Sequence, residues 1–143
     1  MSCAPSGGGS GGGEQGRWPE AASASATVEG VAYTLEVEAW RSFQPVVGDA
    51  GDPMLAVVRL SSAQPIAADL ALTRVRVQRG GESWVGMLRE ESPRMANATT
   101  VEFMLRDGPR WAAGDSIQVM VELVRGGSPA AVLGVQTTIA RVS

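Results

Sequence analysis

Val31-Ala32-Tyr33-Thr34-Leu35-Glu36-Val37-Glu38-Ala39 carries the clearest alternation in the chain. Tyr33, Leu35 and Val37 share one parity. Thr34, Glu36 and Glu38 share the other. That period of two belongs to a strand with one face on a core and one in water. A helix would not put those three apolar residues on one side.

The same pattern recurs down the chain. Met54 to Ser61 is a nearly continuous apolar run, expected as a central strand. Leu70 to Gln78 alternates in two phases, Leu70 and Leu72 on one parity and Val75 and Val77 on the other. A bulge near Thr73 reconciles them. Arg79-Gly80-Gly81-Glu82 is a hairpin turn into a strand over 83–89. Val101, Phe103 and Leu105 share a face within 99–106. Ile117, Val119, Val121 and Leu123 do so within 117–124. After the turn Arg125-Gly126-Gly127-Ser128-Pro129, residues 131–141 form the last strand. The chain therefore predicts an all-β fold: a two-sheet antiparallel sandwich of about seven strands.

That pattern resembles the immunoglobulin and fibronectin III type of sandwich. Trp111-Ala112-Ala113-Gly114-Asp115-Ser116-Ile117-Gln118-Val119 is similar to the corner before strand F in bacterial Ig-like domains. The tyrosine usual at that corner and the Cys-Trp-Cys core of antibody domains are absent. The resemblance implies an architecture and no functional family, because such folds host adhesion, recognition and assembly alike.

Residues 1–24, MSCAPSGGGSGGGEQGRWPEAASA, are mostly Gly, Ser, Ala and Pro. They bury too little apolar surface to offset chain entropy, so they are expected to be a flexible tether of roughly 25 Å reach. The β-domain is expected over 25–143. Trp18 is the one bulky apolar residue of the leader, placed either to pin its end to the domain or to dock on a partner. Cys3 followed by Ala4-Pro5-Ser6 and the Gly/Ser run resembles the start of a mature bacterial lipoprotein, which implies lipid attachment at Cys3. On that resemblance the chain is extracytoplasmic and membrane-anchored, in the periplasm or at the cell surface. The other reading is a cytoplasmic protein with a floppy tail.

Composition excludes several chemistries. The chain has no histidine, and its 12 basic residues are all arginine. A Ser-His-Asp triad, a Cys-His pair, a histidine metal site and a lysine Schiff base are impossible. The formal charge of −3 disfavours nucleic acid. No catalytic residues and no cofactor are expected, and the chain reads as a non-enzyme.

The remaining candidates are contacts. Arg74 and Arg76 share a parity and suit a carboxylate or phosphate, unless they pair with glutamates such as Glu36 and Glu38 on a neighbouring strand. Asp49 and Asp52 offer oxygens for a cation, but two aspartates more simply form a turn. Glu90 and Glu91 are adjacent and do not converge as a catalytic pair would. Trp40, on the outward parity of Glu36 and Glu38, and Trp84 are candidate anchors for a protein partner. They are otherwise covers for an open end of the fold, or a platform for sugar. The expected function is a protein-interaction or structural accessory module of the bacterial envelope. The alternative is a carbohydrate or small-ligand binder using tryptophan faces.

Overall fold

The alternation around Tyr33 becomes strand β2 (Val31–Ser42) in the computed structural model, which describes residues 18–42 and 52–142. Tyr33, Leu35, Val37 and Ala39 are buried and the residues between them are exposed up to Glu38. Around β2 stand β1 (Ser25–Val28), β3 (Leu55–Ser62), β4 (Leu70–Arg79), β5 (Glu82–Met87), β6 (Thr100–Leu105), β7 (Ser116–Arg125) and β8 (Ser128–Val142). The described residues contain no helix.

The strands form one hydrogen-bonded path, β5-β4-β7-β8-β2-β3-β6, with β1 attached to β2 off that path. The sheet curls into a half-barrel around a single core, which includes Leu60, Leu72, Val77, Phe103, Val121 and Leu133. This corrects the expectation of two separate, wholly antiparallel sheets. The reason lies in β8, whose 15 residues span roughly 50 Å. Ser128–Thr138 pairs antiparallel with β7, and Ile139–Val142 pairs parallel with β2. One long strand thus carries the sheet round the core. β1 fills the place where β8 and β2 diverge. It pairs with Val31–Thr34, and the chain just before it bonds β8 through Gly134 N–H to the Ser23 carbonyl at 2.9 Å.

Local chemistry explains the turns. Gly126 and Gly127, both at positive φ, form a two-residue turn, so Ser128 and Pro129 join the strand rather than the turn. Glu29 (φ 51°) and Gly30 (φ 81°) do the same between β1 and β2. The predicted bulge is present. Pairing of β4 with β7 shifts by one residue between Leu72 and Val75, so both stay on the core.

Trp84 lies opposite Val77, on the core side of β5, and its ring folds over Gly86. A Cβ at position 86 would overlap that ring. Gly86→Ala therefore displaces the indole toward water. The expected result is a loss of about 1–3 kcal/mol in a denaturant melt, with red-shifted tryptophan emission.

Candidate interaction surface

The register builds the outer face of β2, β3 and β6 row by row. Glu36, Arg59 and Glu102 form one row. Glu38, Val57 and Met104 form the next. Leu55, Trp40 and Ala140 form the third, and Ser42 with Val142 ends the face. The first row is charged. Arg59 Nε–H donates to Glu102 at 2.6 Å, and the same guanidinium lies 3.4 Å from Glu38. Its bond to Glu102 raises the Arg59 pKa above the usual arginine value.

Beyond that ion pair the face turns apolar. Trp40, Leu55, Val57 and Met104 are half-buried, and Val142 is 44% exposed. A hollow of about 310 Å³ adjoins this patch through Met104 and is lined by Met87, Arg89, Glu91, Arg106 and Asp107. Glu91 is held by Arg106 at 2.6 and 2.7 Å, which keeps its carboxyl below the usual glutamate range.

The other predicted residues lie elsewhere. Arg74 and Arg76 point outward from β4, and three strand-to-strand steps separate β4 from β2. Arg74 does not pair with Glu36 or Glu38. Its Nε stands 3.3 Å from Glu122 on β7, and its guanidinium lies 5.2 Å from the centroid of the Trp18 ring. Trp84 faces the core, so Trp40 and Trp84 do not share a platform. Trp111 also packs on the core, with Arg79 4.8 Å over its ring. Asp52 contributes its backbone carbonyl to Arg41, and Asp49 and Cys3 lie outside the described residues. Glu90 and Glu91 each bind a separate arginine, Arg94 and Arg106. Among the described residues, no three metal-ligating side chains converge, and no helix is long and apolar enough to cross a membrane.

Sequence reading missed Leu55, Val57 and Met104 as partners of Trp40. A signal existed: Leu55 and Val57 occupy the outward parity of the apolar run 54–58, and Met104 follows Glu102 on the outward parity of β6. A continuous apolar run was expected to be covered on both faces, but its outer side here is only half covered.

No family model, curated protein or solved structure matches the chain.

Proposed function

We propose that this chain is a non-catalytic interaction module that docks on another protein through the β2-β3-β6 face centred on Trp40. The observation that carries this reading is the placement of an outward tryptophan among Leu55, Val57, Met104 and Ala140, bordered by the Arg59 ion pairs. An aromatic anchor in an apolar patch with a polar rim is the usual anatomy of a binding hot spot.

Strand order supports the finer architectural reading. With β2, β3 and β6 as A, B and E, and β5, β4, β7 and β8 as C′, C, F and G, the path becomes C′-C-F-G-A-B-E. That is the order of an immunoglobulin-like domain joined at its A and G strands. The leader completes the proposal: a lipid on Cys3 tethers the module to a bacterial envelope membrane, and no cofactor is involved.

Two measurements test it. Intact mass of the native protein from the membrane fraction is expected to show a diacyl or triacyl addition at Cys3; an unmodified chain in the soluble fraction removes the anchored reading. Trp40→Ala is expected to weaken the envelope contact captured by crosslinking at this face by about 2 kcal/mol, roughly thirtyfold. Unchanged capture by a folded Trp40→Ala protein rules this face out.

A further inference from the structure

We propose that β5 is the edge through which two copies of this chain pair, strand against strand, about a two-fold axis at Val85. Gly80 has φ 55° and Gly81 does not have positive φ, the signature of a type II′ hairpin in which Arg79 and Glu82 are the bonded pair. Alternation then directs the amide groups of Glu82, Trp84 and Gly86 at β4. Those of Ser83, Val85 and Met87 point the other way. Two observations fix this phase. Leu88 N–H reaches the Thr73 carbonyl, on the β4 side, at 2.8 Å. Arg89, one residue further, exchanges both its bonds with Met104 of β6, at 3.0 and 2.7 Å. Ser83, Val85 and Met87 have no backbone partner among the described residues.

Natural sheet edges carry charges, prolines or bulges that block further pairing. Past Glu82, whose carboxylate pairs with Arg79 beside the turn, β5 carries none. Ser83 to Leu88 contains no charge and no proline, and the register with β4 runs unbroken from Glu82 to Met87. The edge at the other end of the path is guarded, since β6 has Glu102 at its middle and Arg89 bonded to Met104.

The occupant is a second copy because β5 complements itself. Antiparallel pairing centred on Val85 sets Ser83 against Met87 of the second copy, and Val85 against Val85. The outward amides of the three residues then give about six interchain hydrogen bonds. The same register places Trp84 opposite Gly86 of the second copy, a position with no side chain to oppose the indole. This inference goes beyond the proposed Trp40 contact and does not depend on it.

Sedimentation velocity of the full chain, from low to several hundred micromolar, tests the proposal. The wild-type chain is expected to show a reversible dimer. Val85→Pro removes the central outward N–H, which makes no bond to β4. Val85→Lys sets two like charges directly opposite each other. Both are expected to weaken self-association at least tenfold, and Trp40→Glu to leave it unchanged. If Val85→Pro loses the wild-type circular dichroism spectrum, Val85→Lys decides. A wild-type chain monomeric throughout overturns the proposal. So does a dimer that survives the Val85 substitutions, or one that Trp40→Glu abolishes.

Discussion

Trp18→Ala is expected to destabilise the fold by about 2–3 kcal/mol, read as a lower denaturant midpoint. Trp18 is only 8% exposed although it stands far ahead of the first core strand. The segment that follows it is tied to β8: Ser23 accepts the Gly134 N–H, and Ala22 lies directly over Gly134. Gly134 is the cross-strand partner of Met120, which is 1% exposed although it lies on the outward parity of β7. Trp18 itself stacks with Arg74, which projects from the same outer face. The N-terminal segment therefore covers a second, smaller apolar layer on the outside of the sheet.

A tryptophan-to-alanine change in a core costs about 3–5 kcal/mol. The figure here is lower because the buried Trp18 Nε1–H has no hydrogen-bond partner among the described residues, a penalty of about 1–3 kcal/mol that the substitution removes. Trp18→Phe, which keeps an aromatic ring and deletes the orphaned donor, is therefore expected to be close to neutral. If Phe costs as much as Ala, ring burial is not what holds the segment.

Arg41→Met is expected to cost about 3 kcal/mol, measured in the same denaturation experiment. Arg41 continues the inward parity of Tyr33, Leu35, Val37 and Ala39, yet it is charged and 5% exposed. Its Nε–H donates to the Asp52 carbonyl at 2.9 Å. One terminal nitrogen donates to the carbonyls of Arg110 and Trp111 at 3.3 and 3.1 Å. Burial, then nearby Arg110, pushes its pKa down, and Asp52 partly opposes them. The guanidinium nonetheless stays charged, because its ordinary pKa lies far above neutrality.

Methionine matches the stem of Arg41 but strands those three carbonyls, and unsatisfied buried acceptors account for most of the cost. Arg41→Lys keeps the charge and is expected to rescue little, because a single ammonium cannot reproduce the planar fork that reaches both chain segments. Full rescue by lysine would show that charge, rather than the shape of the donor set, is what the site requires.

Both residues show how far a linear reading carries. Trp18 was legible as a bulky residue in a poor leader, and pinning to the domain was one of two uses open to it. Nothing in the alternation of β7 singled out Met120, because parity says which face a residue takes and not what lies over that face. The Trp40 patch was half legible: the tryptophan fell on the outward parity, but its neighbours came from strands whose register is a long-range property. Arg41 was not singled out in the linear sequence, because its carbonyl partners come from residues 52, 110 and 111.

The β class, most strand positions, the bulge beside Thr73 and the chemistries closed to a chain without histidine or lysine were all legible in the linear chain. Those features depend on neighbouring residues: period-two alternation, glycines at turns, a phase change within one strand, and side-chain inventory. Tertiary structure alone decided that β8 divides between β7 and β2, that β1 fills the gap between them, and that Trp84 turns onto the core. It also left the outward backbone groups of Ser83, Val85 and Met87 without a partner among the described residues. These features arise because strand pairing joins residues far apart in the chain, and backbone hydrogen bonds, being the same at every residue, carry no record in the sequence of which partner they will take.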